Sequence, residues 1–454
     1  MIADKARTRK MTDNIAYDEC LREMFSLQRF GIKLGLETIR HLLTALGNPQ
    51  DRFQTVHVAG TNGKGSVASA LATILRVSGY RTGLFTSPHL VRFNERIQIN
   101  GREIEDRHVM SAYRALQEID SGGREPTFFE INTAMAFTEF ARQAVDWAVI
   151  ETGMGGRLDA TNVVRPALAI ITNISLEHKM YLGGTVAKIA AEKAGIIKNG
   201  VPVVTGVHQK SALREVEHAA DKSGSQVYQL GKDFSFRRNR QAGTLTYKGM
   251  DTVFPGLRTG LAGEFQALNA SLTCAACEAL RRQGVAIPDE AVYRGLAENH
   301  WPGRLEKVFE HPLVILDGAH NLAAARALGR YMESELANRR IILVSGILDD
   351  KPYEKILTDL CRPASAAILT RARIGRALPP EVLEPVARRF LNEVTLAPTV
   401  AEAMDLALKS AGKEDVVVVA GSLYVVGETK EYFNRLEGWE ARRLGSQEAG
   451  KPGG

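Results

Sequence analysis

Thr55-Val56-His57-Val58-Ala59-Gly60-Thr61-Asn62-Gly63-Lys64-Gly65-Ser66 is the stretch that decides the fold. Its first five residues form an apolar, β-branched run the length of one buried strand. After the glycines, Val67, Ala70, Leu71, Ile74 and Leu75 fall at helical spacing, up to a stop at Gly79. Strand, glycine-rich turn and helix in that order mark the carboxyl edge of a parallel α/β sheet, where such sheets bind ligands. Glycines let backbone N–H groups curl around a phosphate. Lys64 adds a point charge, and the helix N-terminus points partial positive charge the same way. The segment departs from G-x-x-x-x-G-K-[ST], because Gly65 stands between Lys64 and Ser66. A plain glycine-rich strand–helix turn is the alternative, made the weaker one by the flanking strand and helix.

Working outward, Gly83-Leu84-Phe85-Thr86, Trp147-Ala148-Val149-Ile150, Ala167–Thr172 and Val201–Thr205 read as further strands, and Asn132–Gln143 as a helix. A second series begins after Trp301-Pro302-Gly303. Strands are expected at Val314–Leu316, Ile341–Val344, Ala366–Leu369 and Val416–Ala420, with a helix over Leu322–Ala337. Alternating strands and helices imply an α/β fold with mostly parallel sheets. The expected domains are 1–303 and 304–440, with a polar, Gly-rich, disordered tail over 441–454.

Composition narrows the function. The chain has 454 residues, 44% apolar and 24% charged, which excludes disordered and low-complexity classes. Lys plus Arg exceeds Asp plus Glu by 58 − 52, or +6. That excess is small for this length, and no basic stripe with interleaved aromatics marks a nucleic-acid face. No run of about 18 apolar residues suggests a membrane span. Met1–Asn14 is basic, but no apolar segment follows as a signal peptide requires. Four cysteines do not make a disulfide framework, and Cys274 and Cys277 read as core thiols in an Ala/Leu-rich helix. A reducing cytoplasm is expected.

Other residues carry chemistry only in company. Glu151 follows the strand 147–150, where an acid beside a phosphate loop is placed to hold Mg²⁺; alone it reads equally as a loop carboxylate. His178 closes Asn173-Ile174-Ser175-Leu176-Glu177-His178 and alone reads as a structural histidine. Lys193, in Ala190-Ala191-Glu192-Lys193-Ala194-Gly195, alone reads as a surface helical lysine. Asp317, in Asp317-Gly318-Ala319-His320-Asn321, is placed to bind ribose hydroxyls or to cap its loop.

These segments together resemble the bacterial folylpolyglutamate synthase/dihydrofolate synthase family of the Mur ligase superfamily. The likeness runs from Phe30-Gly31-Ile32-Lys33-Leu34-Gly35-Leu36 to Gly421-Ser422-Leu423-Tyr424-Val425-Val426-Gly427. It includes the loop with its extra glycine, Thr86-Ser87-Pro88-His89-Leu90, Phe93-Asn94-Glu95-Arg96-Ile97, Trp301-Pro302-Gly303-Arg304 and the Asp317–Asn321 motif. The resemblance implies a P-loop ATPase domain with a mostly parallel sheet, plus a Rossmann-like C-terminal domain. It implies ATP-dependent addition of L-glutamate to dihydropteroate or to folates, in a monomer with small-molecule partners. By this resemblance Gly60, Thr61, Asn62, Gly63, Lys64, Gly65 and Ser66 would cradle the ATP phosphates, and Asn269, Arg304 and Asp317 would complete the ATP site. Ser87, Glu151 and His178 would hold Mg²⁺. Lys193 would be carbamylated to hold a second Mg²⁺. Leu34, Gly35, Leu36, Thr127, Phe128, Phe129, Glu130, Leu158, Asp159 and Ala160 would contact the pterin substrate, and His320 and Ser422 the glutamate end. Phe265 and Glu177 stand where the family often has His and Asp. Another Mur-type ligase with a different acceptor, or a P-loop ATPase switch, are the competing functions.

Overall fold

The computed structural model describes residues 15–31 and 33–448. Met1–Asn14, Ile32 and residues 449–454 lie outside the described residues. The chain divides into two compact units. The first comprises Met1–His89, Phe93–Gly260 and Gln266–His300; the second comprises Leu90–Arg92, Leu261–Phe265 and Trp301–Gly454.

In the first unit, β1 (Gln54–Ala59), β2 (Thr82–Phe85), β3 (Ile97–Ile99), β4 (Arg102–Glu103), β5 (Trp147–Glu151), β6 (Leu168–Ile171), β7 (Val203–Thr205) and β8 (Val227–Gln229) form one sheet. Its order is β4-β3-β2-β5-β1-β6-β7-β8. β2, β5, β1, β6, β7 and β8 run parallel, while β3 and β4 add an antiparallel edge. The central strands are buried on both faces, which is why they read as unbroken apolar runs. β1 lies between β5 and β6, so the loops leaving these three strands, with that of β2, gather at one edge. The helix expected from Asn132 starts earlier, at Phe128, and ends at Arg142. Thr127 and Glu130 form a capping box that fixes this start.

A small antiparallel sheet of β9 (Ser235–Asn239), β10 (Thr244–Lys248) and β11 (Val253–Leu257) was not legible in the sequence. Its first strand is largely polar, Ser-Phe-Arg-Arg-Asn, and half exposed, so no apolar run announces it. The buried Glu278 carboxylate anchors the β10–β11 turn. It accepts from Tyr247 Oη and from the backbone N–H groups of Met250, Asp251 and Thr252.

The second unit has β12 (Glu306–Glu310), β13 (Leu313–Leu316), β14 (Ile341–Ser345), β15 (Ala366–Leu369), β16 (Glu393–Leu396) and β17 (Val416–Ala420), in the order β12-β13-β17-β14-β15-β16. Only β12 runs antiparallel. Alternate residues serve two core layers. Ile315, Leu343 and Val418 face one, and Val314, Ile342, Val344 and Val417 the other. The last helix, Leu423–Glu448, runs eight residues into the stretch expected to be a disordered tail from 441. Ala441, Arg442, Arg443, Leu444 and Gln447 are good helix formers, and they outweigh Gly445 there. Among the described residues, no helix is long and apolar enough to cross a membrane.

Candidate active site

The loop after β1 is held rigid before any ligand arrives. Gly60 has φ +148°, and a Cβ there would lie 1.9 Å from Thr172 Oγ1. Thr61 N–H donates to Asn173 O (2.8 Å), and Asn62 N–H to Asn173 Oδ1 (3.0 Å). In return Asn173 Nδ2 and Thr172 Oγ1 donate to Asn62 O, at 2.8 and 2.7 Å. Gly63 is left-handed, at φ +83°, and a Cβ on it would meet Asn269 Oδ1 at 2.4 Å. The helix Lys64–Val77 that follows has no side-chain cap and no acid in its first turn. Its dipole therefore meets no compensating charge from its own first turn, the electrostatic requirement for holding an anion. Ser66 is buried within hydrogen-bond reach of Gln266 Nε2 (3.4 Å), and Gln266 Oε1 accepts from Asn269 Nδ2 (2.8 Å).

Two acids and two lysines surround this loop. Glu151 is the last residue of β5 and is buried. Its Oε2 accepts from Ser87 N–H (3.1 Å), and its Oε1 lies 3.8 Å from Lys64 Nζ. Lys64 Nζ also reaches Thr61 O at 3.4 Å. Lys193 is not a surface residue: it is 1% exposed. Its Nζ donates to Gly60 O (2.8 Å) and to Glu177 Oε1 (2.7 Å). Burial pushes the Lys193 ammonium pKa down, against the attraction of Glu177. Burial pushes the Glu177 carboxyl up, but Lys193 and then Lys64 outweigh it and hold it at about 2. His178 is exposed and has φ +42°, on the loop after β6. Among the described residues no three His, Cys, Asp or Glu side chains converge as a metal cluster. The expected set of Ser87, Glu151 and His178 contains only two such side chains. Its hydroxyl and carboxylate oxygens, Ser87 on the loop after β2 and Glu151 at the end of the neighbouring β5, suit a hard cation.

The residues expected at the pterin have varied employment. Thr127 and Glu130 are spent locally. Thr127 Oγ1 caps the helix, and the Glu130 carboxylate takes a forked pair from Arg124, at 2.6 and 2.8 Å. Phe128 and Phe129 are half-buried, and the Phe129 ring sits where a Cβ on Gly153 would be, 2.5 Å away. Leu34 is exposed, Leu158 half-buried, and Leu36 and Ala160 buried. Gly35 has φ +145°. Arg96, in Phe93-Asn94-Glu95-Arg96-Ile97, has no role that its sequence context announces. It is buried, with its guanidinium 5.3 Å from the Phe128 ring centroid and 6.0 Å from that of Phe93. Its Nε donates to His89 Nδ1 (2.8 Å). Burial, and then the Arg96 charge, push His89 down to about 3, so it stays neutral.

In the second unit, Asp317 follows β13 and is buried. Its oxygens accept from Leu305 N–H and Ala319 N–H, each at 3.0 Å. Burial pushes its carboxyl up to about 6, against the pull of Arg304. Arg304 Nη1 donates to Gly303 O (2.8 Å) and leaves no room for a Cβ on Gly318. His320 Nδ1 lies 2.8 Å from Gly318 O. Ser422, buried after the neighbouring strand β17, accepts from Tyr424 N–H (3.2 Å). Cys274 and Cys277 are fully buried in the helix Glu264–Arg281, and burial pushes both thiols up.

Residues 58–277 match the Mur ligase middle domain, and residues 303–423 the Mur ligase glutamate ligase domain. The dihydrofolate synthase/folylpolyglutamate synthase of Bacillus subtilis is 37% identical, over 92% of this chain and 99% of its own. The chain belongs to the dihydrofolate synthase/folylpolyglutamate synthase family. It is a Mur-type, ATP-dependent amide ligase. Solved structures of this family superpose closely. The Escherichia coli protein in complex with DHPP and ADP has a TM-score of 0.84 and 29% identity, covering 93% of this chain and 98% of that one. The bifunctional folylpolyglutamate synthase/dihydrofolate synthase of Yersinia pestis with AMPPNP and Mn ion has a TM-score of 0.82 and 29% identity, covering 92% and 98%.

Proposed function

We propose that this ligase uses Mg-ATP to join L-glutamate to dihydropteroate, to the terminal glutamate of folates, or to both. The observation that carries the reading is the loop Gly60–Ser66 with Lys64, Glu151, Glu177 and Lys193 gathered around it, in a chain that matches folate ligases over nearly its whole length. In the first step a carboxylate oxygen of the pteroyl substrate attacks the γ-phosphorus of ATP. The bond to the bridging oxygen breaks, giving an acyl phosphate and ADP. The glutamate amine then attacks the acyl carbon, phosphate leaves, and the amine loses a proton.

The physical difficulty is bringing anions together. Lys64 and the uncapped helix start offset that repulsion as charge moves on the phosphoryl group. Bound Mg²⁺, held by Ser87, Glu151 and His178, would add a hard positive charge on the phosphate oxygens. Arg304 and Asp317 serve the nucleotide, His320 and Ser422 the glutamate. Phe128 and Phe129 offer flat apolar contacts to the pteroyl rings. Burial pushes the Lys193 ammonium down, against the attraction of Glu177, and so eases the proton loss that must come before the amine adds CO₂ to become a carbamate. That carbamate would supply oxygens for a second cation. We also read the protein as a monomer of a reducing cytoplasm, in keeping with four free, buried cysteines.

One assay tests this. Enzyme, Mg-ATP and glutamate are mixed with dihydropteroate or tetrahydrofolate in turn, and the amide is sought by mass spectrometry. Product from either acid supports the reading. ATP hydrolysis without amide from either one overturns it.

A further inference from the structure

His57 sits in the middle of β1 between Val56 and Val58, and it is fully buried. A buried imidazole is costly unless its polar atoms are served. Its Nε2 lies 2.8 Å from Thr161 Oγ1, and Thr161 Oγ1 lies 2.5 Å from Asp159 Oδ1. The single hydroxyl proton of Thr161 goes to the carboxylate, so the oxygen must accept from His57. His57 therefore carries its proton on Nε2, and Nδ1 keeps a lone pair that has no protein partner. Burial, then the charge of Lys198, pushes His57 down to about 3. The imidazole stays neutral at working pH, and the chain keeps this direction while Asp159 is ionised; burial pushes the Asp159 carboxyl up, against its N–H and O–H donors.

The far end of this chain is a turn that needs holding. Residues 153–161 follow Glu151 and contain Gly153, Gly155 and Gly156, with φ +68° at Gly155. A glycine-rich turn has much conformational freedom to lose. The Asp159 carboxylate bridges its two ends: Oδ2 accepts from Met154 N–H (2.8 Å), and Oδ1 from Thr161 N–H (3.0 Å) as well as from the Thr161 hydroxyl. Asp159 is thus occupied by the protein's own donors, and its tie to the sheet runs through Thr161 to His57.

We propose that His57 is a positioning residue for the pteroyl substrate: through Thr161 it orients the Asp159 carboxylate and so holds the turn 153–161 at the end of β5. The inference rests on the reading above, in which Leu158, Asp159 and Ala160 belong to the pteroyl site.

The test uses full-length His57→Leu, Thr161→Val and the double variant. It reads KM for dihydropteroate, KM for ATP, and hydrogen exchange at the Met154–Thr161 amides. Thr161→Val is expected to raise KM for dihydropteroate roughly tenfold and to speed exchange in the turn, while KM for ATP holds. His57→Leu is expected to give roughly a fivefold rise. The double variant should match Thr161→Val alone, because His57 acts through that hydroxyl. His57→Gln and Thr161→Ser, which keep an N–H and an O–H in reach, should restore binding. Multiplying effects in the double variant, or an unchanged KM for dihydropteroate in folded Thr161→Val, would overturn the proposal. Should wild-type enzyme form no amide from any pteroyl acid, the proposed function fails instead. Exchange then decides the hydrogen-bond chain by itself: unchanged protection in Thr161→Val removes it.

Discussion

Glu177 in the first unit and Asp317 in the second are both carboxylates withdrawn from water on loops that follow parallel strands, yet they are held in opposite states. Two lysines crowd Glu177 and keep it at about 2, in spite of its burial. Asp317 has Arg304 and two backbone N–H groups, and burial still prevails and pushes it up to about 6. The number and closeness of cations decides between these outcomes. Around the first unit's loop, two lysines stand close enough to Glu177 that it stays ionised although little of its side chain meets water. In the second unit the balance is near even, and the acid can take up a proton close to neutral pH.

Removing a member of the crowded group should have the largest effect. Lys64→Ala deletes the cation nearest Glu151, and Glu151→Ala deletes the acid that orders Ser87. Each is expected to remove amide formation, a loss on the order of a thousandfold or more, with the circular dichroism spectrum unchanged. Normal turnover in either variant would break the assignment of this edge to phosphate and metal.

Lys193→Ala attacks the same group from inside. It strands Glu177 without its closest cation, which is expected to cost about 3 kcal/mol of stability, seen in denaturant unfolding. Lys193→Ala/Glu177→Ala should regain much of that, since no uncompensated charge is left. Activity of Lys193→Ala should fall and recover in part with added short carboxylates, which substitute for a carbamate. Full activity without them would leave Lys193 as a structural partner of Glu177 and Gly60.

What could be read from the residues follows the same division. The strand, glycine turn and helix of residues 54–77 were legible because they are contiguous, and contiguous residues keep their spacing in the fold. The place of Glu151 at the end of β5 was legible because the apolar run 147–150 ends there. The burial of Lys193 was not: Ala-Ala-Glu-Lys-Ala has the composition of a solvated helix, and only the approach of Gly60 and Glu177 draws the lysine inside. His57 looks like any residue of an apolar strand until Thr161, more than a hundred residues away, is folded against it. The sheet β9–β11 was hidden because its buried residues, Leu245, Tyr247, Phe254 and Leu257, stand singly among polar ones, and its β10–β11 turn is held by Glu278 of another element.

Asp317 offers a test of the even-balance side of the comparison, with an effect of intermediate size. Its folded pKa of about 6 lies above that of an unfolded aspartate, so the folded state binds the proton more tightly. Stability from this group is present at low pH and falls as pH rises from about 4 to about 6, by at most about 3 kcal/mol. Glu177 acts with the opposite sign one window lower, adding stability as pH rises from about 2 toward its unfolded value. Asp317→Asn should flatten the decline between pH 4 and 6 in thermal unfolding and leave the rise below it. A decline that persists in the variant would mean that another group carries it.

The smallest expected effect compares two helix starts, one in each unit. Thr127 caps Phe128–Arg142 and is answered by Glu130, whereas Asn321 caps Leu322–Glu335 through Ala324 N–H (3.0 Å). Only Thr127 has the reciprocal bond, from its own N–H to Glu130 Oε2 (2.8 Å), which survives loss of the hydroxyl. Thr127→Ala should therefore cost about 0.5–1 kcal/mol, and Asn321→Ala, with no acid three residues on to answer it, nearer 1–2 kcal/mol. Thr127→Ser should be close to wild type, since the cap uses only the hydroxyl. Denaturant midpoints of the three variants decide it: equal losses for the two alanine variants would show that the answering glutamate adds nothing, and that the capping box in the first unit is a single cap like the one in the second.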